Sequence, residues 1–428
     1  MILEFSITNF RSIREKQVFS MYASSARSKG DNIFEHQLSS GETVNLTKAA
    51  VIYGANASGK SNVVLALEAL VDIITKTHKI NTFEPVPSYN PFLFDEIAKN
   101  QACEFELIFL DDQKEKYYYI ISFDKEEIIK EELYSYPKKH KRTIFTRAND
   151  NKKNDDENIH EANLGKELKN KQYYIHKKIP LLSIFGKAEN YHKLLSPIYK
   201  YFKEIEVITP TVTSMIDVLR EQLIVDYLLD DIKGDENKWL RERLIRLIRA
   251  CDTQIQDIEI NEELRKDRLF SKHKIFNNKK DTGEVFDLPF GQESIGTNRI
   301  FVLGSCILKA LHKGSVIIFD ELDSSLHPFV SRFLVKLFLN PISNPKNAQL
   351  IFTTHEPSIL DKDLLRADQI WFTEKTAEGA TELFSAQDFD GVREDVPFDK
   401  WYMAGKFGAV PHISEIEYIF GNGEKTTN

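Results

Sequence analysis

The octapeptide GANASGKS at positions 54–61 constrains this chain more than any other stretch. It meets the pattern GxxxxGK[ST] at every fixed position, with Gly54, Gly59, Lys60 and Ser61. A short apolar run, KAAVIY, precedes it, and an amphipathic stretch, NVVLALEALVDII, follows. Strand, glycine loop, helix is the order that cradles phosphate. Glycines let backbone N–H groups turn toward the anion, and the helix N-terminus adds its positive dipole end. In that frame Lys60 reaches the β- and γ-phosphates, the Ser61 hydroxyl ligates Mg²⁺, and Asn56 and Asn62 lie beside them. The loop therefore predicts an α/β fold that binds ATP with Mg²⁺.

A second half-site is written in VIIFDELDSSLHP at 316–328. Four apolar residues predict a buried strand, and Asp320 and Glu321 emerge at its carboxyl end, where open α/β sheets bind ligands. Asp320 is expected to hold Mg²⁺ through water, and Glu321 to activate the attacking water as general base. An apolar run ending in two acids is by itself commonly a surface or capping pair; the phosphate loop gives it a partner. The next predicted strand, QLIFTTH at 349–355, ends on His355, which is expected within reach of a γ-phosphate.

The remaining pattern sets the organisation. Alternating Ile2, Phe5, Ile7 and Phe10 predict a strand or two at the start, and FELIFL (105–110), YYYIISF (117–123) and KEELYSY (130–136) predict more, the first two joined as a hairpin. Residues 137–172 are rich in Lys, Asn and Asp and read as an exposed loop or hairpin. Helical patterns cover 187–204 and 214–250, followed by a strand at 255–260. A largely helical insertion, 137–285, is therefore expected between two parts of one head, 1–136 and 286–428. The second part should hold helices from Ser294 to His312 and over 328–339, and a strand at 370–375.

With 29 Phe and 16 Tyr, a sizeable core can be built. The net charge of −8 excludes a uniformly cationic nucleic-acid binder but leaves room for a local basic groove. Cys103, Cys251 and Cys306 lie far apart with no CxxC pair, so buried free thiols in a reducing cytoplasm are expected. No apolar run reaches the ~18 residues that span a bilayer, and Glu4 and Arg11 interrupt any leader-like start. A cytoplasmic protein without membrane contact is the expectation.

These motifs carry a family resemblance, to ABC-type ATPase heads of the RecF, SMC and OLD kind. The NFRSI opening is similar to RecF and SMC heads, and LDSSLHP (322–328) resembles the D-loop after the acids, with Asp323 as its key residue. TTHEP resembles the switch-histidine segment, and ESIGTNRIF (293–301) resembles the signature element. The resemblance implies that Ser294 and Gly296 bind the γ-phosphate of ATP held by an opposite subunit, in a homodimer or larger homo-oligomer. The departure from LSGGQ, and the gap between Lys60 and Asp320, set the chain apart from transporter domains. No glutamine lever is identified; Gln101 is the nearest candidate. The segments DQIWFTEK (368–375) and FDKWYMAGKFGAVPHI (398–413) resemble the closing segments of RecF/OLD-like ATPases of anti-phage loci, including abortive-infection, restriction-linked and PARIS types. That resemblance implies a separately encoded effector, often a Toprim-type nuclease. The stretch after His355 leaves little room for such a domain within this chain. A defence ATPase and a RecF-like repair ATPase that binds DNA share all the catalytic residues.

Overall fold

The computed structural model describes residues 1–26, 28–77, 86, 88–111, 113–137, 140–148, 162–164, 176–187, 192–209, 235–252, 254–261, 269–393 and 395–411. The opening alternation forms β1 (Ile2–Thr8) and β2 (Gln17–Ser20). A small hairpin of β3 (Ile33–Gln37) and β4 (Thr43–Thr47) follows, then β5 (Ala49–Gly54) and α1 (Lys60–Lys76). β6 (Cys103–Leu110), β7 (Lys116–Phe123) and β8 (Ile128–Ser135) are the three strands read from their aromatic runs. With β9 (Arg142–Ala148) and β10 (Ala162–Leu164) they build a seven-stranded antiparallel sheet in the order β10-β9-β8-β7-β6-β1-β2.

Among the described residues of 137–285, strands stand beside helices where a largely helical insertion is expected. Helices α2 (Leu181–Gly186), α3 (Leu195–Glu204) and α4 (Asp235–Cys251) alternate with β11 (Glu206–Ile208), β12 (Ile255–Ile260), β13 (Leu269–Asn277) and β14 (Lys280–Pro289). β9, β10 and β11 add to the edges of the head's own sheets, while β12, β13 and β14 form a separate three-stranded sheet. The physical reason is that short polar strands are held by edge pairing, which needs no apolar periodicity. In β13 and β14 the side chains that a core would fill are instead ion pairs, Lys272 with Asp287 and Lys274 with Asp281. Of the helix expected at 187–204, α3 is observed, and 188–191 lie outside the described residues. That expected at 214–250 is observed as α4, and 210–234 lies outside the described residues.

The last third follows its pattern closely: α5 (Ile295–Lys313), β15 (Val316–Phe319), α6 (Pro328–Leu339), β16 (Gln349–Thr353), β17 (Ile370–Lys375), β18 (Thr381–Ser385) and α7 (Phe398–Met403). The second sheet runs β11-β15-β16-β5-β17-β18, parallel throughout except for β18. Its strands are near-continuous apolar runs because both faces are covered. Val51, Tyr53, Ile317 and Phe319 face a core shared with α4, α5 and α6, whereas Ala50, Ile52, Ile318 and Trp371 face one shared with α1 and the antiparallel sheet. The Gln349 amide joins the two sheets, accepting from the Ile2 N–H (2.7 Å) and donating to the Ile2 carbonyl (3.0 Å). The result is the expected α/β P-loop head, with its site at the carboxyl ends of parallel strands. No helix among the described residues is long and apolar enough to cross a membrane. Cys103 is buried as expected, whereas Cys251 and Cys306 are only partly so.

Candidate nucleotide site

β5 ends at Gly54, and the loop wraps from there to the first turn of α1. Close approach dictates both glycines. A side chain at Gly54 would collide with the Ser58 hydroxyl and with Thr373 on β17, and one at Gly59 with the Thr381 side chain on β18. Gly59 also has φ 114°, in the region that glycine alone enters freely. Lys60 is buried and folds back over the loop, its Nζ donating to the carbonyls of Gly54 (2.9 Å) and Ala55 (3.1 Å). Burial pushes its ammonium below the usual lysine range, against the opposing pull of Asp320, Glu321 and Asp323. Desolvation strengthens the pull of this cation on a phosphate, and the three carboxylates beside it call for a divalent cation to offset their repulsion of the same anion.

The two half-sites meet directly. The Ser61 hydroxyl donates to Asp320 Oδ1 across 3.1 Å, although the residues are 259 positions apart. The same carboxylate oxygen accepts from the Thr353 hydroxyl at 2.6 Å. A hydroxyl and a carboxylate are hard oxygen donors, the set Mg²⁺ takes beside substrate phosphates. Thr353 in turn accepts from the Glu321 N–H (2.7 Å), so one side chain orients both acids. Glu321 sits at φ 56°, an uncommon conformation for a non-glycine residue, which costs on the order of 1–3 kcal/mol and clusters at functional sites.

Asp323 follows, its Oδ2 accepting from the His355 N–H at 3.3 Å, while its buried Oδ1 has no hydrogen-bond partner among the described residues. His355 is exposed at the end of β16. Gly54, Gly59, Lys60, Ser61, Asp320, Glu321, Asp323 and His355 thus gather at one end of the parallel sheet. Asn56 is exposed on the loop. The Asn62 amide is turned to the N-terminal segment, donating to Ser12 Oγ (2.5 Å) and accepting from Arg11 Nε (2.9 Å). Gln101 is exposed, and its carbonyl accepts from the Asn9 amide at 3.1 Å. Ser294 caps α5 beside the D-loop: a methyl group on Gly296 would lie 3.5 Å from the Ser325 carbonyl.

Several supporting residues escaped the motif reading. The Thr381 hydroxyl donates to the Ser58 carbonyl (2.8 Å), which leaves its oxygen to accept from the Ser12 hydroxyl (2.7 Å). Ser58 and Thr373 share a hydrogen bond of 2.6 Å. Together they hold the glycine loop from behind. Ser12 stood within the NFRSI motif and Thr373 within DQIWFTEK, so each had a signal; Thr381 had none.

A family model described as "AAA domain, putative AbiEii toxin, Type IV TA system" matches residues 49–361. No curated protein matches the chain. Among solved structures, the SMC head domain from Thermotoga maritima is 13% identical, with a TM-score of 0.43 over 90% of this chain and 98% of that one. An SMC head bound to the C-winged helix domain of ScpA is 14% identical, at TM-score 0.37 over 90% and 97%. The recombination mediator RecF with ATPrS is 12% identical, at TM-score 0.34 over 90% and 98%.

Proposed function

The chain belongs to that AAA-domain family, and from this premise we propose that it binds and hydrolyses ATP with Mg²⁺ at the loop-and-acid site. The observation that carries the reading is the Ser61–Asp320 hydrogen bond, which unites two motifs from opposite ends of the sequence at the place where the ion would sit. Loop N–H groups and Lys60 bind the phosphates, Ser61 and Asp320 hold Mg²⁺, and Glu321 takes a proton from the attacking water. Mg²⁺ held there would supply charge neutralisation for the polyphosphate. His355 stands at the neighbouring strand end, toward the γ-phosphate. Lys60→Ala should remove ATP hydrolysis in clean preparations, by 10²-fold or more on the order expected for losing a phosphate clamp. A wild-type rate in that variant overturns the assignment.

The signature residues complete the site from a second copy. Ser294 and Gly296 lie at a helix N-terminus, a ready donor set for phosphate. Ile295 and Phe329, three-quarters exposed at 75% and 76%, flank the signature and the D-loop and are apolar groups that a facing copy would cover.

At the level of the cell, the reading is a sensor-regulator of anti-phage defence that uses ATP-driven pairing to hold or release a separately encoded effector, a Toprim-type nuclease by the resemblance. Support comes from the closing segments around Trp371 and Trp401, which resemble those of RecF/OLD-like ATPases of anti-phage loci. Co-expression with the neighbouring gene product should give a complex whose mass changes with ATP. A chain that forms no such complex and instead binds gapped or ended DNA with ATP would be the RecF-like repair ATPase.

A further inference from the structure

We propose that Asp252, at the end of α4, is a positioning residue that locks the signature hydroxyl of Ser294 away from phosphate, so that α4 governs closure of the shared site. This rests on the reading that Ser294 serves a facing subunit's ATP.

The argument is one of hydrogen-bond direction. The Thr297 hydroxyl donates to Asp252 Oδ2 at 3.0 Å. A threonine hydroxyl has one proton, so its oxygen can only accept in its second contact, with Ser294 Oγ at 2.9 Å. Ser294 must therefore point its own proton at Thr297. The Ser294 oxygen also accepts from the Thr297 N–H at 3.1 Å. Both capacities of the hydroxyl are thus used within its own chain, although Ser294 itself is exposed and Thr297 is buried. A γ-phosphate is an acceptor and needs a donor. To become one, Ser294 must turn its proton away from Thr297, and the Asp252 carboxylate opposes this by holding the Thr297 proton. Removing the carboxylate lets Thr297 turn its proton toward Ser294, which frees the Ser294 proton for phosphate.

The placement of Asp252 gives the lock its purpose. Its N–H closes the last turn of α4 onto Ile248 (2.7 Å), so its carboxylate moves with that helix. α4 packs on α5 through Leu244 and Leu247, which press against Gly304 so tightly that a side chain there would strike Leu247. Any partner that shifts α4 along α5 would withdraw Asp252 from Thr297 and arm the signature.

The test uses the full chain in a Glu321→Gln background, with ATP and Mg²⁺, and reads the protein concentration at which half the chains are paired by mass photometry. Asp252→Ala and Thr297→Val should each lower that concentration roughly ten- to a hundredfold, the scale of two released hydrogen bonds, one at each site of the symmetric pair. Thr297→Ser, which keeps the hydroxyl, should leave it at the parent value. Binding of a fluorescent ATP analogue to the unpaired chain should be the same in all of them. Ser294→Ala separates the two levels of the argument. If it leaves pairing intact, the shared-site reading fails and the lock with it. If it weakens pairing while neither Asp252→Ala nor Thr297→Val strengthens it, the shared site stands and the lock is wrong.

Discussion

At the residue scale the site divides into positions the sequence announces and positions it conceals. Gly54, Gly59, Lys60 and Ser61 are legible because phosphate geometry demands their types at fixed spacing, and Asp320 because that loop gives an acid at a strand end a partner. Thr353 is concealed: its task exists only once β15 and β16 lie side by side in register, Phe319 opposite Phe352. Yet that hydroxyl bonds Asp320 and the Glu321 backbone at once. Thr353→Val keeps the shape and deletes both bonds. It should lower kcat by roughly 10–100-fold and raise the Mg²⁺ needed for half-maximal rate, the usual cost of losing a partner behind a metal ligand. An unchanged Mg²⁺ titration would sink this role.

At the element scale legibility follows burial. β5, β15, β16 and β17 are apolar runs with covered faces, and α5 and α6 carry apolar stripes, so pattern alone finds them. β9 and β14 have no such stripe; partners hold them, and partners are invisible in a linear pattern. β9 illustrates the cost of that arrangement. Its Arg147 is fully buried, donating to the carbonyls of His176 (3.1 Å), Lys177 (2.8 Å) and Ile179 (2.9 Å) and lying 3.9 Å from Glu131 of β8. Glu131 accepts from the Leu181 (2.6 Å) and Leu182 (3.1 Å) N–H groups at the start of α2 and from the Tyr119 hydroxyl (2.9 Å). Burial pushes its carboxyl up, and Arg147 and these donors pull it down. Glu131→Ala would strand a buried guanidinium and should cost about 3–5 kcal/mol in urea unfolding. Glu131→Gln, which retains an acceptor, should cost less. Equal, small losses would show that the pair is not what fastens α2 to the sheet.

At the scale of the whole molecule, function requires two chains if Ser294 and Gly296 serve a neighbour. Lys60→Ala mixed with Ser294→Arg then provides a decisive experiment. In a mixed pair one site carries both lesions and the other carries neither, so activity should return to about a quarter of the wild-type rate with random exchange and independent sites. No return, despite proven subunit exchange, would count against shared sites. The overall architecture was legible because its motifs keep their order along the chain, while the weave of 137–285 into both sheets was not. The arrangement of the parallel sheet has a further consequence, for synthesis. β5 lies between β16 and β17, and residues joined across that sheet, such as Tyr53 and Thr373, are 320 positions apart. At ribosomal speeds of roughly 5–20 residues per second, the strand that carries the glycine loop waits on the order of 15–60 s for its neighbours to be made. During that interval its backbone edges have nothing native to pair with, so a nascent chain of this kind is a natural client for chaperones. A product that ends before Ile370 would carry an intact GANASGKS without Thr373 and Thr381, which hold the loop from behind.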